Sequence, residues 1–262
     1  MKIKVENLSL TYPIIAGDSF LARKNIIDKI LNILKKKNNK FKPNDNIENK
    51  NRNFKIIALK NINFELQTGD RLGLVGINGS GKSTLLKCLS GILEPDSGSK
   101  INIEGSFLPI INPIYFCETE DTVINNIILI SIILGFEIEY VRYNIDLILK
   151  FCELQKYKNY PFSALSTGMR FRLIFGICFI LRRNIYFIDE FLTTGDEKFQ
   201  NKASELINKQ ISDSIVVLCS HSQEVIKKFC NKILVLNNAE QIFFGDLKEG
   251  MQIFNKIIAD NY

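Results

Sequence analysis

Gly76-Ile77-Asn78-Gly79-Ser80-Gly81-Lys82-Ser83-Thr84 carries the pattern glycine, four residues, then glycine-lysine-serine, and its reading decides how the rest of the chain folds. The stretch lies between an apolar run, Leu72 to Val75, and a helical pattern in which Leu85, Leu86 and Leu89 recur. Strand, loop and helix therefore follow in the order that a phosphate-cradling loop needs. Glycines let the backbone turn back so that successive N–H groups point at one phosphate, and the helix that follows adds the positive end of its dipole. In that frame Lys82 reaches the β- and γ-phosphates, and the Ser83 hydroxyl takes a position on Mg²⁺.

Downstream, the apolar run Asn184-Ile185-Tyr186-Phe187-Ile188 ends in Asp189-Glu190. Paired acids after a strand often only start a solvated turn. After a phosphate loop they suit phosphoryl transfer, with Asp189 holding Mg²⁺ and Glu190 accepting a proton from the attacking water. His221, the one histidine of the chain, follows the buried strand Ile215 to Cys219. There its imidazole N–H can donate to a γ-phosphate oxygen as charge develops.

The remaining segments alternate between strand and helix. Lys2 to Tyr12 and Ile56 to Leu66 read as strands, Lys100 to Phe107 as a short strand after Pro95-Asp96-Ser97-Gly98, and Asp121 to Leu154 as helical. A long apolar helix, Met169 to Leu181, follows the turn Leu165-Ser166-Thr167-Gly168. Helices Lys198 to Gln210 and around Val225 to Phe229, a hairpin at Asn237-Asn238 and an amphipathic helix Met251 to Ile258 complete the pattern. Such alternation predicts an α/β fold with a mostly parallel sheet covered on both faces.

The chain has 262 residues, 46% of them hydrophobic, enough for one large domain with a buried core. Its net charge of +6 is local, since residues 23–55 hold eleven Lys/Arg against three Asp/Glu. Within residues 14–55, a basic Lys/Asn-rich insertion, Ile26, Ile27, Ile30, Leu31 and Leu34 recur at helical spacing ahead of Lys35-Lys36-Lys37. The piece is either a helix packed on its own domain or a poorly ordered loop, or else a helix resting on a membrane surface or membrane partner. The six cysteines are scattered, with no C-x-x-C pair, and read as reduced core residues of a cytosolic chain. No apolar run approaches the ~20 residues needed to span a bilayer.

Taken in order, these motifs resemble the ATPase subunit of ABC transporters, and the likeness covers almost the whole chain. The resemblance implies a P-loop NTPase of ABC ATPase type over residues 1–262, with an N-terminal antiparallel β part and a helical subdomain at 121–183. By the same resemblance, Tyr12 stacks on adenine, and Ser166, Thr167 and Gly168 form the signature turn that meets the γ-phosphate of ATP bound to the opposite subunit. Asp196 matches the aspartate loop across the dimer interface. The signature reads Ser-Thr-Gly-Met rather than the common Ser-Gly-Gly-Gln, and Phe191 stands where proline usually follows the acid pair. Both features are similar to the branch that exports capsule, O-antigen or teichoic acid. No glutamine occurs between Gln67 and Gln155, so residues 108–120 serve the family's glutamine loop by other means.

The expectation is thus an ATP- and Mg²⁺-dependent homodimer, peripheral on the cytoplasmic face of the inner membrane, driving an integral membrane permease. Two readings from other classes compete. One is a soluble ATPase acting on nucleic acid, suggested by the basic segment, although nucleic acid is not expected where only Phe41 and Phe54 accompany the charge. The other is a degenerate nucleotide binder, suggested by the missing glutamine.

Overall fold

The computed structural model describes residues 1–13, 55–111, 117–189, 199, 202–203, 205–207 and 213–260. The chain divides into two compact units, one of Met1–Leu10 with Ala58–Tyr262 and one of Thr11–Ile57. Of the second, only the strand ends Thr11–Pro13 and Lys55–Ile57 are described. The basic helix expected around Ile26 to Leu34 lies outside the described residues.

Nine strands among the described residues form one sheet: β1 (Lys2–Pro13), β2 (Lys55–Gln67), β3 (Arg71–Gly76), β4 (Lys100–Glu104), β5 (Phe107–Ile110), β6 (Ile185–Asp189), β7 (Ile215–Cys219), β8 (Lys232–Asn237) and β9 (Glu240–Asp246). Their spatial order is β4-β1-β2-β9-β8-β3-β7-β6-β5. From β8 through β3, β7 and β6 to β5 all neighbours are parallel, whereas β1 pairs β4 and β8 pairs β9 antiparallel. Chemistry dictates the difference. Leu-Gly-Leu-Val in β3 and Ile-Val-Val-Leu-Cys in β7 are buried throughout, as strands covered on both faces must be. In β1, Ile3 and Val5 are buried while Lys2, Lys4 and Glu6 point outward, the alternation of a sheet wetted on one side.

Six described helices flank the sheet: α1 (Lys82–Leu89), α2 (Val123–Ile133), α3 (Ile138–Cys152), α4 (Thr167–Ile180), α5 (Gln223–Phe229) and α6 (Leu247–Asp260). Residues 199, 202–203 and 205–207 are also helical, within the stretch expected to be a helix from Lys198 to Gln210. Side chains alternate across the sheet into two cores. Tyr186 and Ile188 join the layer with α2, α3 and α4, while Ile185 and Phe187 join the one with α1 and β1. No helix among the described residues is long and apolar enough to cross a membrane.

Three expected elements change form, each at a local cause. The helical stretch 121–154 is two helices, because Gly135 takes φ +77 and closes α2, with Gly135 N donating to Ile132 O and Phe136 N to Ser131 O. Arg183 fixes that corner by donating to Gly135 O at 2.6 Å and stacking over Phe136 at 3.8 Å. The strand expected over 100–107 ends at Glu104, before Gly105 at φ +138, and β5 resumes at Phe107 beside β6. Finally, α4 begins at Thr167 rather than Met169, since Ser166 caps it.

Candidate functional site

Between Gly76, the last residue of β3, and Lys82, the first of α1, the loop is built on three glycines with different surroundings. A Cβ on Gly76 would strike the Leu236 carbonyl and the Ser80 side chain. One on Gly81, at φ +105, would lie 2.6 Å from Ala58 O. Both must be glycine for packing reasons. Gly79, at φ +78, has nothing within 4 Å of its Cβ position, so that side of the loop is open. Ile77 is half-buried, and Asn78 and Gly79 are exposed. Gly81 supplies no side-chain cap to α1, which leaves the first-turn N–H groups available to an anion.

Lys82 is 7% exposed and folds back under its own loop, its Nζ donating to Gly76 O at 2.8 Å and to Ile77 O at 3.0 Å. These carbonyls hold the ammonium within its own loop. The Ser83 hydroxyl is exposed and Thr84 is half-buried, while Ser80 is buried with no partner for Oγ among the described residues. An unpaired buried hydroxyl is costly unless a further polar group meets it.

Sheet register brings the other expected residues to the same edge. Leu74 of β3 pairs Cys219 of β7, and Cys219 pairs Asp189 of β6, so three parallel strands end together where open α/β sheets bind ligands. Asp189 Oδ1 is buried there without a hydrogen-bond partner among the described residues. A carboxylate oxygen left so and an exposed serine hydroxyl are hard-oxygen donors of the kind Mg²⁺ takes, so the chemistry of the residues present fits that ion. His221 stands exposed two residues beyond Cys219, followed by Ser222, whose side chain caps α5 by accepting from Val225 N.

The turn Ser166-Thr167-Gly168 lies exposed at the N-terminus of α4, a 14-residue helix. Ser166 Oγ accepts from Met169 N at 3.3 Å, and Gly168 has open space around its Cβ position. The serine is thus a helix cap, and the turn also presents free surface. One supporting residue is missing from the sequence reading. Arg170 donates to Ser163 O at 2.9 Å and lies over the Phe162 ring at 5.1 Å, bracing the turn from beneath. A cation in the first turn of a helix whose later turns are apolar was the signal for it. Tyr12, next to last in β1, is exposed. Glu190 and Asp196 lie outside the described residues, as do residues 112–116 of the segment expected to replace the glutamine loop.

The family model described as ABC transporter matches residues 59–193. The chain is 39% identical over 184 residues to the O-antigen export system ATP-binding protein RfbE of Yersinia enterocolitica, covering 70% of this chain and 77% of that protein. It is 34% identical over 203 residues to the ATP-binding protein BexA of Haemophilus influenzae, covering 76% and 90%. To the polysialic acid transport ATP-binding protein KpsT of Escherichia coli it is 32% identical over 200 residues, again 76% and 90%. Among solved structures, an ATP binding subunit of an ABC transporter aligns with TM-score 0.69 at 19% identity, over 97% of this chain and 94% of that one. The similarity to that structure supports the P-loop ABC ATPase fold expected from the motifs.

Proposed function

From the premise that the chain belongs to the ABC transporter family, we propose that it is the ATP-hydrolysing subunit of an exporter of lipid-linked cell-surface polysaccharide. The observation that carries the chemistry is that β3, which leads into the open loop with Lys82, and β6, which ends in Asp189 with an oxygen unpartnered among the described residues, finish at the same end of the sheet. The names of RfbE, of an O-antigen export system, and KpsT, of polysialic acid transport, support the export branch.

In this reading, N–H groups of residues 77–84 bind the phosphates, and Lys82 exchanges the Gly76 and Ile77 carbonyls for the β- and γ-phosphates. Ser83 and Asp189 would hold Mg²⁺, whose charge neutralises the phosphate oxygens. Glu190 takes the proton of the attacking water, and His221 donates to the γ-phosphate oxygen as charge builds. The Ser166-Thr167-Gly168 turn of a second copy closes over the same phosphate, Asp196 crosses the interface, and Tyr12 stacks on adenine. Residues 1–262 form one ATPase domain with an insertion at 14–55 and a helical subdomain at 121–183. It works as a peripheral homodimer on the cytoplasmic face of the membrane, under a separate permease.

Replacing Glu190 with glutamine tests this. The variant should bind ATP, assemble into dimers with magnesium and ATP as seen by light scattering, and turn over on the order of 10²–10⁴ slower. A variant that stays monomeric, or hydrolyses ATP at the parental rate, overturns the assignment.

A further inference from the structure

Asn126 sits on the apolar face of α2, beside the core residues Val123, Ile127 and Ile130, and is completely buried. A carboxamide in such a place has to be satisfied by its surroundings. Its Oδ1 accepts from Glu118 N at 2.7 Å, and its Nδ2 donates to Glu118 O at 2.8 Å and Thr122 O at 3.0 Å, with Asp121 O at 3.3 Å. The Thr122 bond is local, the back-bond any serine can make, as Ser131 does to Ile127 O in the same helix. The pair of bonds to Glu118 is different. It requires a donor and an acceptor side by side in one plane, which a carboxamide supplies.

The segment held in this way carries the turn at the head of α4. Thr119 O accepts from Ser163 N at 2.8 Å, and Asp121 O accepts from Phe162 N at 2.8 Å. Phe162 is buried under the Arg170 guanidinium, which also donates to Ser163 O. Ser166, which caps α4, follows three residues later. An unbroken series of hydrogen bonds therefore runs from Asn126 through residues 118–121 and 162–163 to Arg170 and the exposed turn.

We infer that Asn126 is a positioning residue for hydrolysis: it fixes residues 118–122, and through them the placement of the turn Ser166-Thr167-Gly168 against the partner's nucleotide. This rests on the two-copy ATPase proposed above. Asn126 touches no nucleotide, and the loop that binds phosphate on its own chain, Gly76 to Thr84, is built on β3 and α1 without it. Losing Asn126 should therefore leave nucleotide binding by a single chain intact and harm turnover, since small misplacements remote from the chemistry lower rates by up to about 10²-fold.

The experiment compares Asn126→Leu, which matches the side chain's volume, with Asn126→Ser, which keeps the local bond to Thr122 O and so the helix. Asn125→Ala is the control, as it removes only the exposed bond to Asp121 Oδ1. Rates are referred to sites titrated with a fluorescent ATP analogue, so chain that has not folded does not count. The expected result is unchanged nucleotide affinity for both Asn126 variants, kcat lower by about 10–10²-fold, and a parental rate for the control. Parental turnover per titrated site in Asn126→Ser overturns the inference alone, and so does a parallel loss of affinity, which marks a merely structural role. A parental chain that hydrolyses no ATP overturns instead the function on which it rests.

Discussion

Replacing Gly81 with alanine should unfold the phosphate loop's seat before it touches ligand chemistry. Gly81 sits at φ +105, and its added Cβ would lie 2.6 Å from Ala58 O and 2.8 Å from Leu59 Cδ2. The carbonyl belongs to β2, whose Leu59 is fully buried, so it cannot retreat cheaply. Backbone strain at positive φ costs about 1–2 kcal/mol, and overpacking against a fixed strand adds about 1–3 kcal/mol. The sum, roughly 2–5 kcal/mol, is a large part of the 5–15 kcal/mol typical of a whole domain. For a chain of this size it lowers Tm by roughly 4–20 °C. Gly79→Ala is the matched comparison. Its φ is +78 but its Cβ meets nothing within 4 Å, so only the strain of about 1–2 kcal/mol remains. Its methyl instead intrudes on the open face where phosphate is to sit. Thermal unfolding and binding of a fluorescent ATP analogue, measured on both variants, should separate them: Gly81→Ala loses more stability, and Gly79→Ala loses affinity out of proportion to its stability. A Gly81→Ala protein within ~0.5 kcal/mol of the parent refutes the packing argument, and unchanged affinity in Gly79→Ala refutes the placement of the phosphate.

Two further outcomes follow from the packing. At Gly176 a Cβ would strike Cys152 Sγ where α4 crosses α3, so Gly176→Ala should destabilise by roughly 1–3 kcal/mol, and Cys152→Ala should suppress part of that loss in a double-mutant cycle read by denaturant melts. Burial pushes the Cys152 and Cys230 thiols up to about 12 from 9.0 and raises Cys178 further. The unfolded chain therefore ionises these thiols first as pH rises. Their contribution is fully present below about pH 9 and is lost by up to ~1.4 kcal/mol per pH unit for each thiol above it. Equilibrium melts at pH 8 and pH 10 with reductant present check this, and the triple alanine variant should lose the excess slope.

Much of the site was legible because its signals are local. The glycine spacing of 76–84 fixes a loop whose geometry depends on residues adjacent in the chain, and the unbroken apolar runs 185–188 and 215–219 announce strands buried on both faces. That Ser166 also caps α4 came from the structure, where its Oγ accepts from Met169 N. Asn126 and Arg170 were not legible. Asn126 did show as a polar residue at core spacing in an apolar helix, but its partners at Glu118 lie in a loop with no periodic signal of its own. The break at Gly135 was missed because the apolar pattern of 121–154 continues across it, and only the positive φ closes the helix there.

By itself, then, the sequence determined the phosphate loop, the buried character of β3, β6 and β7, and the alternation of strand with helix, because each depends on propensity and periodicity within a few residues. Tertiary structure alone decided that β3 lies between β7 and β8, strands more than 130 residues further along the chain. That order sets Leu74, Cys219 and Asp189 in one register, and among the described residues the buried Asp189 Oδ1 has no hydrogen-bond partner. Strand order is chosen by which apolar faces bury one another, a property of the whole chain that no short window contains.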